Sequence, residues 1–195
     1  MSKAAQTRLM ILQKASELVY VNGFQSTSID HIISQIQVTK GAFFYHFKNK
    51  EEMGLSMIKE LLHGGMRQTL SIYLKDAEDP VTGIFLMLKF LLIESPLFDV
   101  RYGCPAVNLI EEMSPLNTNF HQALNNIITD WQSMIVSCLE AGKLSGKIRK
   151  DVDAVNASYF IISGYTGIRN LGKIFGKGCY ASYLKETEIY LNNLS

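Results

Sequence analysis

Thr39, Lys40, Tyr45 and His46 place a hydroxyl, an ammonium, a phenol and an imidazole on one short stretch, TKGAFFYHFKNK, which ends in Lys48 and Lys50. None of these groups forms a nucleophile–base pair or a metal-ligand spacing. All of them suit a nucleic-acid surface, where phosphate contacts give affinity and register and base-edge contacts give sequence preference. Lys40 and Tyr45 are the candidates for base readout, and Thr27, His46 and Lys50 for phosphate. Thr39 offers its Oγ, and Lys48 adds charge for the backbone. Gly41 and Ala42 leave the helix N-terminus uncrowded, so that its free N–H groups can approach a phosphate or a base edge. Phe43 and Phe47 are read as core. Phe44 fits either the groove wall or packing against the preceding helix.

The elements that position these groups are legible from local chemistry. Thr27 followed by Asp30 fits a variant capping box and marks a helix start. Ile29, Ile32, Ile33 and Ile36 then recur at i, i+3, i+4 and i+7, on one helical face. Thr39 is a natural N-cap for a second helix, with Val38 and Phe43 at the staple positions. Asn49 and Glu52 repeat the cap signature for a third. So few residues separate these helices that the second and third must cross steeply. The layout predicts a helix-turn-helix, whose second helix enters the DNA major groove.

Composition is compatible with this. The 195 residues include only four prolines and carry a net charge of +1. Residues 1–50 hold six basic groups against two acidic ones, a net of +4, which leaves −3 for the rest. A basic head on a mildly acidic body concentrates attraction for phosphate at the motif. Long amphipathic stretches without strand-like alternation predict an all-α protein. No apolar run reaches the roughly eighteen residues that span a bilayer, and no signal peptide opens the chain, which points to the cytoplasm and to no membrane partner. Cys104, Cys138 and Cys179 form no close pair, so neither a disulfide framework nor a zinc site is expected, and no cofactor or metal.

Helix one is expected from about residue 4 to 21, with Ile11, Leu12, Ala15, Leu18 and Val19 inward and Gly23 just past its end. Another runs from Lys50 toward Lys75 and contains His63-Gly64-Gly65, either a break between domains or a hinge. Further helices follow from Asp79-Pro80 through Leu92, from about 120 to 141, from Asp151 or Asp153 to about Phe175, and from about Tyr180 to Leu191. The domain boundary is expected at residues 49/50: a DNA-binding domain over 1–49 and a helical domain over 50–195. Glu111, Glu112 and His121 are the residues an acid/base or metal enzyme would use. Adjacent Glu111 and Glu112 point about 100° apart on a helix and do not converge, and no nucleophile elbow, phosphate loop, His-x-x-x-His pair or dinucleotide fingerprint is present. The chain is not expected to be an enzyme.

Several segments together resemble the tetracycline-repressor (TetR) family of bacterial transcription regulators. They are Gly23-Phe24 at the end of helix one, the Thr27-capped helix, Val38-Thr39-Lys40-Gly41, Phe44-Tyr45-His46-Phe47 and Lys50-Glu51-Glu52-Met53. The match covers about residues 7 to 54. It departs from the family pattern at Gln37, where the turn usually has Gly, and at Phe44, usually Tyr. Gly103-Cys104, followed by Asn108, resembles a Gly-Cys-x-x-x-Asn element of one branch. The resemblance implies a homodimer on a palindromic double-stranded operator, a body that binds a small-molecule effector, and repression relieved by that effector. It also implies that the last two long helices pair across the dimer, a role that Ser163, Gly164 and Gly167 fit because small side chains let helices approach. Phe85, Phe90, Cys104, Asn108, Trp131 and Met134 are the expected pocket residues, with Met87, Phe98 and Met113 also able to line it, and at helical spacing such residues are more often plain core. Two alternatives stay open: an interaction protein of this fold that has lost DNA binding, and a repressor that senses electrophiles or oxidants through Cys104.

Overall fold

The structure is a computed structural model that describes residues 2–195. Among the described residues the chain forms ten α-helices and no strand. They are α1 (Lys3–Asn22), α2 (Ile29–Ser34), α3 (Lys40–His46), α4 (Lys50–Met57), α5 (Gly64–Leu74), α6 (Pro80–Lys89), α7 (Pro105–Met113), α8 (Thr118–Leu144), α9 (Ala154–Phe175) and α10 (Gly178–Asn192). π-helical turns at Ile58–His63 and Phe90–Glu94 extend α4 and α6. Packing divides the described residues into two units, residues 2–65 with 105–126, and residues 66–104 with 127–195. This division differs from the expected boundary at 49/50, because α4 packs on α1 and α7 packs on the π-helical turn that follows α4.

In the first unit, α1 packs against α2, α3 and α4. Ile11, Leu12, Ala15 and Val19 are buried, as their spacing predicts, while Leu18 is half-buried. Gly23 ends α1 at φ 84, a left-handed conformation open to glycine, and its N–H bonds the Val19 carbonyl. The Gly23-Phe24 turn is then held from a distance. Both carboxylate oxygens of Glu112 on α7 accept backbone N–H groups, from Phe24 and Gln25, each at 2.8 Å. Glu112 is thus a structural clamp. Glu112→Ala removes both acceptors and is expected to cost about 1–2 kcal/mol, read as a lowered midpoint in urea with an unchanged slope. Gly54 of α4 lies between Phe24 and Phe120, whose rings are 4.7 Å apart; a Cβ there would sit 2.5 Å from one ring and 2.7 Å from the other.

α2 opens one residue later than the Thr27–Asp30 spacing predicts. Its N-cap is Ser28, whose Oγ accepts the His31 N–H at 3.0 Å. Gly64 keeps helical angles, φ −59 and ψ −47, so the double glycine does not break the helix that runs from residue 50 to 74. The change of packing unit nonetheless falls directly after Gly65.

In the second unit α10 packs against α6 and α9. Ile84, Leu88, Trp131, Ile135, Leu139, Ile161, Tyr165 and Tyr180 make its core. The expected caps are present: Asp79 Oδ1 accepts from Val81 N–H, and Asp153 Oδ1 from the N–H groups of Val155 and Asn156. Gly164 meets the Tyr183 ring, where a Cβ would lie 2.5 Å from the hydroxyl, and Gly172 meets Tyr180 as closely. No described helix is long and apolar enough to cross a membrane.

Candidate nucleic-acid interface

Helix α3 is seven residues long, too short to persist without its neighbours. Phe43 and Phe47 anchor it, at 0% and 1% exposure, each contributing roughly 1.5–3 kcal/mol by burial. The Arg8 guanidinium lies 5.0 Å over the Phe47 ring while pairing with both carboxylate oxygens of Glu60, at 2.5 and 2.6 Å. At the N-terminus Thr39 Oγ accepts the Ala42 N–H at 3.2 Å, and at the other end Asn49 Oδ1 accepts the Glu52 N–H while Glu52 accepts from Lys48 N–H. The helix is therefore fixed at both ends and on its inner face.

What it presents outward is Lys40, Gly41, Phe44 and Tyr45. Tyr45 is 79% exposed and Phe44 47%, the latter edge-on to Phe43 at 5.4 Å between centroids. Phe44 is thus about half exposed, with its ring set against Phe43. Lys40 pairs with Asp30 at 3.0 Å, an exposed pair that solvent and salt weaken, so its ammonium can exchange that partner for another anion. His46 is half-buried, beside the Tyr45 ring.

Gly41 meets nothing within 4 Å of where a Cβ would stand. Nothing inside the chain requires glycine there. Gly41→Ala is expected to raise stability by up to about 1 kcal/mol, from helix propensity, while weakening duplex binding where backbone must approach DNA. A denaturation curve and a binding isotherm separate the two effects; equal duplex binding by the variant would mean Gly41 faces no ligand.

Three expected contacts are corrected by the geometry. Thr27 is fully buried and its hydroxyl donates to the Gly23 carbonyl at 2.7 Å, so its side chain braces the turn and cannot meet phosphate. The Ala42 N–H is already taken by the cap. Lys50 folds back, donating to the Gln25 carbonyl at 3.1 Å with its ammonium 4.6 Å over the Phe24 ring. Burial lowers its pKa, against the opposing pull of Glu112. Gln37 adopts φ 52, the left-handed turn that the usual glycine would take without strain, at a cost of roughly 1 kcal/mol.

The other expected residues are dispersed. Met134 lines an open cleft of about 390 Å³ with Leu74, Ala77, Cys138 and Ala141. Trp131 is buried, Phe85 and Phe90 are half-buried with Phe90 5.7 Å from Tyr73, and Cys104 is 3% exposed. Asn108 belongs to the other packing unit. On α9, Gly164 is spoken for by Tyr183, whereas Gly167 is open and Ser163 exposed. Around them Tyr159, Phe160, Leu171, Ile174 and Phe175 are 50–78% exposed, an apolar stripe that residue types alone did not separate from core.

Comparison with known proteins gives these features a family. Residues 11–57 match the domain described as "Bacterial regulatory proteins, tetR family", and residues 92–186 the "Tetracyclin repressor-like, C-terminal domain". An uncharacterized HTH-type transcriptional regulator in the lacX 3′ region of Lactococcus lactis subsp. lactis is 30% identical over 81% of this chain and 80% of its own length. The HTH-type transcriptional repressor DhaR of Mycobacterium sp. (strain GP1) is 26% identical over 82% and 79%. A crystal structure of a TetR transcriptional regulator from Chloroflexus aurantiacus superposes with a TM-score of 0.85 at 25% identity, over 99% of this chain and 96% of that one. The capped helix-turn-helix, the all-helical body and these matches together place the chain in the TetR family of bacterial transcription regulators.

Proposed function

We propose that the protein is a sequence-specific repressor that binds a palindromic operator as a homodimer in the bacterial cytoplasm and is released by a small-molecule effector. Regulators of this family bind DNA and form dimers. The observation that carries the reading is α3 itself, locked by Phe43, Phe47 and two caps while Lys40, Phe44 and Tyr45 are exposed on its outer face, Lys40 held only by an exposed pair with Asp30. In this reading Lys40 and Tyr45 meet base edges, Thr39, His46 and Lys48 meet phosphate, and Lys50 does so only after leaving Gln25. Ser163 and Gly167, with the apolar stripe of α9, form the subunit contact. The effector is taken up by the second packing unit, and it acts only through a difference in affinity between the DNA-competent and released states. The π-helical turn before Gly64-Gly65 supports a place where the long helix can yield.

The test is selection of bound sequences from a random duplex pool at physiological salt, followed by titration of the winner at several salt concentrations. A palindromic consensus is expected, with log affinity falling against log salt at about −0.9 per phosphate neutralised. Folded, dimeric protein that enriches no sequence refutes the operator reading and favours an interaction protein, with Gln37 and Phe44 as the departures to revert.

A further inference from the structure

Arg169 on α9 is 1% exposed. Aromatic rings surround its guanidinium: Phe98 at 4.7 Å, Tyr165 at 5.7 Å and Tyr180 at 5.8 Å from the central carbon to each ring centroid. Its Nη1 donates to the Tyr180 hydroxyl at 3.5 Å, the outer limit of a hydrogen bond. Its Nε and Nη2 reach no acceptor. The groups that bear on its charge are Tyr165, Tyr180 and the Cys104 thiol, with no carboxylate among them. Arginine does not shed its proton in proteins, so the usual escape of a buried ionisable group is closed to it. Cation–π contact offsets part of the desolvation but satisfies no N–H.

The surroundings repeat the pattern. The Tyr165 hydroxyl, one helical turn before Arg169, lies close to the Cys104 thiol and to Arg169 but makes no well-formed hydrogen bond; burial, then the Cys104 thiol, pushes it well above its ordinary pKa, so it stays protonated and able to donate. The Trp131 ring stands edge-on to Tyr165 at 5.1 Å, and its buried Nε1 N–H is also unanswered. Unpaired buried groups from α8 and α9 therefore share one chemistry: all can donate. The missing partner is an acceptor, and the Arg169 charge, met by no carboxylate, favours an anionic one.

We infer that Arg169 anchors a carboxylate-bearing small molecule, with Nε and Nη2 donating side by side to its two oxygens, Tyr165 adding a third donor, and the rings of Phe98, Trp131 and Tyr180 selecting an apolar or aromatic remainder. This rests on the effector-responsive reading above and names the effector's class. Phe98 is half-buried whereas Tyr165, Trp131 and Tyr180 are buried, so the ligand reaches Arg169 by displacing Phe98.

The test uses the full-length protein without DNA. Thermal melts and calorimetric titrations are run with benzoate and the straight-chain carboxylates from acetate to octanoate, each against its amide, and with inorganic sulfate and phosphate. At least one carboxylate is expected to raise the melting temperature saturably while its amide does not. Arg169→Met is expected to weaken that binding more than about tenfold, and Tyr165→Phe by a few-fold. Without ligand, Arg169→Met is expected to melt at or above the wild type, since it removes a buried charge that no anion in the chain meets and that the aromatic contacts offset only in part. No response to any carboxylate overturns the assignment. So does equal binding of acid and amide, a response to inorganic anions alone, or a responding carboxylate that Arg169→Met still binds as the wild type does. Operator release is measured separately. A carboxylate that binds through Arg169 yet leaves operator affinity unchanged refutes the effector reading and leaves the site. Release by a compound to which Arg169→Met responds equally refutes the site and leaves the reading.

Discussion

Gly167→Arg is expected to convert the protein into folded monomers and to remove operator binding. No atom lies within 4 Å of a Cβ at this position, so the fold of the single chain has room for the substitution. Phe160, Ser163, Gly167, Leu171 and Ile174 follow one another at spacings of three and four along α9, the period of a helix face that packs against another helix. Four of these are at least half exposed as large apolar groups or lack a side chain altogether: Phe160 at 53%, Leu171 at 50%, Ile174 at 78%, and Gly167. A twofold axis through such a face brings each arginine near its symmetry mate, burying like charges at a contact that relies on close approach. The consequence for DNA follows from geometry. One helix-turn-helix reads a few base pairs, and the second head is held at high effective concentration only while the dimer persists. A monomer therefore falls from the range of specific binding, about 10⁻⁸–10⁻¹¹ M, toward that of nonspecific binding, about 10⁻⁴–10⁻⁶ M. Light scattering and a binding isotherm read the two effects. A dimeric Gly167→Arg protein would place the subunit contact elsewhere. Gly164→Arg is the informative contrast, since there the Tyr183 side chain blocks the new atoms within the same chain and the expected defect is in folding.

Tyr45→Ala and Lys40→Ala are expected to lose operator affinity by about 1–3 kcal/mol each, roughly 5- to 150-fold, with little change in stability. Tyr45 is 79% exposed, so its ring adds little to the core. Lys40 gives up only an exposed pair with Asp30, and such pairs contribute little net stability. The two variants should differ in kind. Loss of a base-edge contact relaxes preference at one position of each half-site, whereas loss of a phosphate contact weakens all sequences alike and reduces the salt slope by about one. Binding across a set of operator variants at two salt concentrations assigns each residue to its role. If both variants bind the operator as the wild type does, the reading face is not the outer face of α3.

Much of this molecule was legible before any coordinates. Every long helix lies within a few residues of its expected span, because capping and amphipathic spacing act over three or four residues. The caps at Thr39, Asn49, Asp79 and Asp153 are where their chemistry puts them. The inward faces of α1 and α3 follow from the same short-range rules, while the strained turn at Gln37 is what the family resemblance implied. The exceptions share a cause. Thr27 looked like a cap facing solvent, yet Ser28 takes the cap and Thr27 turns inward to Gly23. Lys50 looked like a free cation, yet it closes over Phe24 and Gln25. Glu112 had no role assigned by its spacing, yet it holds a turn 88 residues away in the sequence.

By itself, then, the order of residues determined the long helices, most of their ends and the nature of the head, since these depend mainly on neighbours along the chain. Only the tertiary structure decided which polar groups are spent internally and which stand unanswered. Thr27, Lys50 and Glu112 are of the first kind, and Arg169 is of the second, a cation placed among rings with no carboxylate to meet it. Burial and partnership depend on residues brought together from distant parts of the chain, and no local spacing encodes them.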